Sequence, residues 1–139
     1  MPADTDVPAP SEGFIVTHTL IVSDIARSRD FYANVLGGNV VWEGGDGRPA
    51  MVKLANTWVI INVGGGPTTD KPTVTLAPPD DPDRVDGFMN IRVADIYDVY
   101  REWSGRGADF LTAPVEWAHE IRAYVRDPDG YLIEVGQSR

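Results

Sequence analysis

The stretch His18-Thr-Leu-Ile-Val-Ser-Asp24-Ile-Ala-Arg-Ser-Arg-Asp-Phe-Tyr32-Ala-Asn-Val-Leu-Gly-Gly38 decides the fold, because the chain runs through its plan twice. Leu20, Ile21 and Val22 form an aliphatic, partly β-branched run that suits a strand. Asp24 then stands where a helix N-cap belongs, its carboxylate able to accept the free N–H groups of the next turn. Ile25, Tyr32, Val35 and Leu36 fall near one helical face, and Gly37-Gly38 supplies the stop. The plan returns 71 positions further on, from Val22 to Val93, with Asp24 matched by Asp95, Ile25 by Ile96 and Tyr32 by Trp103. Two unrelated strand–helix units would share cap grammar, but not one register held through strand, cap and helix.

Working outward, residues 1–12 are rich in Pro and Asp and read as a flexible tail. The first module, 13–63, reads as strand Phe14 to Val22, helix Asp24 to Leu36, and strands at 39–43, 50–54 and 57–63. Gly44-Gly-Asp-Gly47 makes a hairpin turn between the first two of those three strands. A connector follows at 64–86, rich in Gly, Pro and Asp, with one strand-like piece at 73–76. Its Gly64-Gly-Gly-Pro67 is no phosphate loop, since neither Gly-Lys-Ser/Thr nor a helix follows. The second module, 87–139, reads as strand Phe88 to Val93, helix Asp95 to Gly105, strand 109–112, loop 113–118, strand 120–126, turn Asp127-Pro-Asp-Gly130 and strand 131–136. One βαβββ unit cannot bury both faces of its sheet. The expected fold is therefore α+β: two paired βαβββ modules, eight strands forming a cupped sheet with the helices outside and a ligand cavity between the modules.

Bulk composition bounds the function. The chain has 139 residues, 42% hydrophobic and 24% charged, as in an ordinary soluble domain. A net charge of -9 and no basic stripe argue against nucleic acid. No apolar run approaches the roughly 20 residues that a membrane helix needs, so no membrane partner is expected. The first residues lack the basic and apolar regions of a signal peptide, and cysteine is absent, which together suit a cytoplasmic protein. Without cysteine there is no thiolate nucleophile, and no serine is placed with a histidine for a triad.

Several segments resemble the vicinal-oxygen-chelate superfamily, which holds glyoxalase I, extradiol dioxygenases, fosfomycin-resistance enzymes and bleomycin-resistance binding proteins. They are Val22-Ser-Asp-Ile, Ser28 to Tyr32, Val35-Leu-Gly37 and the closing Asp127-Pro-Asp-Gly-Tyr-Leu-Ile-Glu134. The resemblance implies the paired βαβββ fold, a homodimer, and either a metalloenzyme or a metal-free binder. In metal-dependent members, ligands stand on the first strand of each copy and, as a Glu, on the last strand. Glu134 matches the last of these.

Strand alternation tests the others. His18 shares a face with Leu20 and Val22, and the matching residues Met89, Ile91 and Val93 are apolar, so this is the helix-covered face. The opposite, cavity-side face carries Thr17, Thr19 and Ile21 in copy one and Phe88, Asn90 and Arg92 in copy two. Thr17 and Phe88 thus hold the ligand positions, and neither suits a divalent metal. A bulge at Thr17–His18 would instead turn the imidazole inward. His119 precedes a strand and sits either at the cavity rim or in an exposed loop.

Glu134 faces the cavity and needs a cationic partner there, Arg122 or Arg92, unless it is a solvated edge carboxylate. Tyr124 shares the polar face of the neighbouring strand, and Trp58 and Asn62 share a face of the strand at 57–63. The expected ligand-binding set is Thr17, Thr19, Trp58, Asn62, Phe88, Asn90, Arg92, Arg122, Tyr124 and Glu134, with no catalytic residue and no cofactor. The ligand is a small organic molecule, aromatic or cationic, by analogy with bleomycin-resistance proteins. The alternative is a glyoxalase- or dioxygenase-like enzyme holding Fe, Mn, Ni or Zn with His18, Glu134 and His119.

Overall fold

A computed structural model describes residues 6–45 and 48–139. Residues 1–5 of the expected tail, and Asp46 and Gly47 of the expected hairpin turn, lie outside the described residues. The chain divides into two compact units, Met1–Pro78 and Pro79–Arg139, with the division inside the expected connector.

The first unit contains β1 (His18–Val22), α1 (Ile25–Asp30), β2 (Asn39–Glu43), β3 (Ala50–Leu54) and β4 (Thr57–Val63). Its sheet has the order β1-β4-β3-β2, with β1 parallel to β4 and the other pairs antiparallel. The helix starts where Asp24, in extended backbone, accepts the Arg27 N–H at 3.0 Å. It does not run on as one α-helix to Leu36. From Phe31 to Val35 it widens into a π-helical turn, with Leu36 N–H donating to the Phe31 carbonyl at 3.1 Å. Gly37, at φ 85°, then ends it in the left-handed region, where a side chain is costly.

β1 is also shorter than the expected strand from Phe14. Its sole described neighbour in the sheet, β4, begins at Thr57, and pairing runs from His18↔Val59 to Val22↔Val63. Upstream of Val16, whose carbonyl accepts from Thr57 Oγ1 at 3.1 Å, the described residues offer no strand to pair with, and Phe14 stays 87% exposed.

The second unit contains β5 (Met89–Arg92), α2 (Ile96–Gly105), β6 (Asp109–Phe110), β7 (Val115–Glu116), β8 (Glu120–Arg126) and β9 (Leu132–Ser138). The order β5-β9-β8-β6, with β5 parallel to β9, reproduces the first unit strand for strand. Asp95 caps α2 as Asp24 caps α1, accepting from the N–H groups of Tyr97 and Asp98, both at 3.1 Å. β7 adds a ninth short strand to the eight expected, because two residues of the supposed loop pair with Arg122 and Ile121 of β8.

In each unit the helix packs on one face of the sheet. Leu20, Val22, Tyr32, Val52, Val59 and Ile61 fill the first core, and Ile96, Trp103, Val125, Ile133 and Val135 the second. Tyr32 and Trp103, matched by the sequence repeat, are both buried. At roughly 25 cal/mol per Å² of apolar surface, such side chains contribute about 1.5–3 kcal/mol each. No helix is long and apolar enough to cross a membrane, among the described residues.

Candidate functional site

Register fixes which side chains meet on the uncovered face of the second sheet. Partners in adjacent strands point to the same side. Ile133 and Val135, both buried, pair with Met89 and Ile91 of β5 and with Val125 and Ala123 of β8, which places all six on the helix side. The alternate residues form two rows on the other side: Asn90–Glu134–Tyr124, then Arg92–Gly136–Arg122.

Glu134 is the centre of this face. It is only 7% exposed, and each of its oxygens is engaged. Asn90 Nδ2 donates to Oε1 at 3.1 Å, Tyr124 O–H donates to Oε2 at 2.9 Å, and Arg92 Nη1 reaches Oε1 at 3.5 Å. A buried carboxylate costs several kcal/mol unless it is paired and hydrogen-bonded, and these three donors meet that requirement. Burial, and then the bond to Glu134, push the Tyr124 phenol above its ordinary pKa of 10.0, so it keeps the proton it donates.

Arg92 reaches Glu134 because Gly136 stands beside it. A Cβ built on Gly136 would lie 2.0 Å from Arg92 Nη1 and 2.7 Å from its Cζ, so the guanidinium lies across that gap. Its Nη2 goes on to Ser138 Oγ at 3.2 Å. Arg122, the other cation considered for Glu134, goes elsewhere: it stacks over the Trp117 ring at 4.7 Å and lies 3.8 Å from Glu120 Oε1. Phe88 packs edge-on against Tyr124 at 5.8 Å.

The structure thus gathers Phe88, Asn90, Arg92, Tyr124 and Glu134, with Arg122 one row away. Glu120, Trp117 and Gly136 complete the group and were not in the expected set. A glycine inside a strand marks close approach, and that signal at Gly136 was available in the sequence.

In the first unit, Thr19 pairs with Ile60, which pairs with Met51. This row is the topological counterpart of Asn90–Glu134–Tyr124, and its middle and far members are apolar. Asn62 Oδ1 accepts from the Val63 N–H at 2.8 Å. Trp58 has its indole N–H on the Asp6 carbonyl at 2.6 Å, while Lys53 bridges to the Asp6 carboxylate at 3.0 Å and sits over the Trp58 ring. Asp6 therefore occupies the polar edge of Trp58. Thr17 is half-buried just before β1 and Thr19 is exposed. A cleft of about 490 Å³ lies at the other side of this unit, between Ser23, Asp24, Arg29, Glu43, Arg48 and Pro49, and contains none of the expected residues. Its Arg29 and Glu43 neutralise each other at 2.6 Å.

His18 shares its face with buried Val59 and Ile61, and the β1–β4 pairing shows no register shift there. His119 is exposed ahead of β8. A divalent metal on Glu134 would need further carboxylate or imidazole ligands next to it. Its neighbours are instead an amide, a phenol and a guanidinium, all donors, the last of them cationic. Among the described residues, no three His, Cys, Asp or Glu side chains gather to hold a metal. Within this unit, the groups that engage Glu134 are hydrogen-bond donors rather than metal ligands.

Residues 15–135 match the family model of the glyoxalase/bleomycin resistance protein/dioxygenase superfamily. The chain belongs to that superfamily. A lactoylglutathione lyase of Neisseria meningitidis is 29% identical over 132 residues, covering 88% of this chain and 89% of the lyase. Two solved structures share the fold over nearly the whole chain. The fosfomycin resistance protein FosX of Listeria monocytogenes has a TM-score of 0.67 at 14% identity, covering 92% of this chain and 95% of FosX. TnmS3, an antibiotic-binding protein of a Streptomyces species, has a TM-score of 0.65 at 20% identity, covering 94% of this chain and all (100%) of TnmS3. The fold is thus shared with both enzymes and binders, and alone does not choose between them.

Proposed function

We propose that this glyoxalase-superfamily chain is a metal-independent small-molecule-binding protein, similar in kind to bleomycin-resistance proteins, that takes a partly aromatic organic ligand on the Glu134 face. One observation carries the reading: both Glu134 oxygens are held by hydrogen-bond donors of the chain itself, Asn90, Tyr124 and Arg92. A carboxylate satisfied in this way is a fixed part of a polar wall rather than a ligand awaiting an ion. Phe88, Tyr124 and Trp117 supply flat apolar surface beside it, the combination of aromatic walls and few polar groups that small-molecule sites use.

The similarity to lactoylglutathione lyases favours a second reading, a metal-dependent lyase built on Glu134 and His18. Elemental analysis of untagged protein separates the two. Substoichiometric metal is expected, unchanged by Glu134→Gln; stoichiometric Fe, Mn, Ni or Zn lost on that substitution would refute the binder.

A further inference from the structure

The Arg92–Gly136–Arg122 row points to the charge of the ligand. Both guanidinium groups converge on one atom, Glu120 Oε1, at 3.9 Å from Arg92 and 3.8 Å from Arg122. Neither distance is a hydrogen bond, and that oxygen is buried without any hydrogen-bond partner. Glu120 therefore draws two like charges together without using their N–H groups. Arg122 makes no side-chain hydrogen bond to any described residue, and its guanidinium stacks on the Trp117 ring.

The layering gives the sign. Glu134 lies inward, 7% exposed and engaged by three donors, and Glu120, with its side chain 31% exposed, turns its Oε1 into the buried side. The guanidinium groups lie outward, with the Arg92 and Arg122 side chains 43% and 35% exposed. The two guanidinium groups are thus the most exposed charges of this cluster. Two rings are also half-exposed, Phe88 at 47% and Trp117 at 50%.

Building on the binding reading above, we infer that the ligand is a planar aromatic molecule carrying an acidic group, such as an aromatic carboxylate. The ring lies against Phe88 and Trp117, and the acid takes the free N–H groups of Arg122 with help from Arg92. A guanidinium already stacked on an indole keeps its in-plane N–H fork open for a carboxylate, which binds it in two-point fashion. This differs from the cationic ligand considered from the sequence, because on this face Arg92 and Arg122 are more exposed than Glu120 and Glu134.

The test is calorimetric titration of the full-length protein with three isosteric probes: 2-naphthoate, 2-naphthamide and 2-naphthylmethylammonium. Naphthoate is expected to bind roughly tenfold or more tightly than the amide, an advantage that shrinks with added salt. Arg122→Gln should bring naphthoate down to the amide's affinity, while Arg122→Lys keeps part of the difference and unchanged circular dichroism shows both variants folded. If the ammonium probe binds as tightly as naphthoate or more so, the charge assignment falls while the binding function stands. If none of the three binds at millimolar concentration, both fall.

Discussion

Gly136→Ala tests the geometry of the site through a change of one methyl group. The new Cβ would sit 2.0 Å from Arg92 Nη1, 2.7 Å from Cζ and 3.3 Å from Nη2, against an optimum of about 3.5–4.0 Å for non-bonded heavy atoms. Gly136 is not among the positive-φ residues, so the backbone accepts alanine and the guanidinium must move instead. Moving it breaks the contacts to Glu134 at 3.5 Å and Ser138 at 3.2 Å. A hydrogen bond to a charged group contributes about 1.5–3 kcal/mol; the half-exposed arginine and long separation place this one at about 1–2 kcal/mol. Alanine recovers about 0.5–1 kcal/mol of the entropy that glycine loses in a strand.

The net change alone is small, so the informative quantity is the coupling with Arg92. Gly136→Ala should destabilise the wild-type chain and stabilise the Arg92→Ala chain, a coupling of about 1–2 kcal/mol by urea denaturation followed by circular dichroism. Equal effects in both backgrounds, within about 0.3 kcal/mol, would show that Arg92 does not occupy that gap.

Two further outcomes follow from the same structure. The Tyr124 phenol, raised by burial and by its bond to Glu134, holds its proton to higher pH in the folded chain than in the unfolded one. Its contribution to stability is therefore complete below the ordinary pKa of 10.0 and declines as pH rises through the higher folded value; Tyr124→Phe should remove that component from a pH series of urea unfolding curves between about pH 9 and 12. Among the caps, Asp95 accepts from two backbone N–H groups and Asp24 from one, so Asp95→Ala should cost more than Asp24→Ala within a range of about 0.5–2 kcal/mol, and the reverse order in chemical denaturation would contradict the cap geometry.

The parts of the fold that depend on nearby residues were legible. β2, β3, β4 and β8 carry the expected bounds because alternation and turn chemistry mark them locally. Both helix starts are written in Asp24 and Asp95. The start of β1 was not legible, since it depends on where β4 begins, and His18 pairs with Val59 far along the chain. Neither was β7, two residues that become a strand only because β8 passes alongside.

The site divides in the same way. Parity put Glu134 on the uncovered face, but the choice between Arg92 and Arg122 was beyond it. Both flank Gly136 in one row, and parity treats them alike. What separates them is side-chain reach: Arg92 lies across the gap at Gly136, and Arg122 is drawn off by the Trp117 ring. That indole belongs to the segment between β7 and β8, whose course no periodicity encodes.

The duplicated fold gives its two matching rows unequal tolerance of substitution. In the Thr19–Ile60–Met51 row, exchange among apolar residues of similar volume changes little. In the Asn90–Glu134–Tyr124 row, loss of Asn90 or Tyr124 leaves the nearly buried Glu134 carboxylate short of a donor. A single exchange is therefore absorbed more easily in the apolar row, whereas altering the Glu134 row requires several residues to change together.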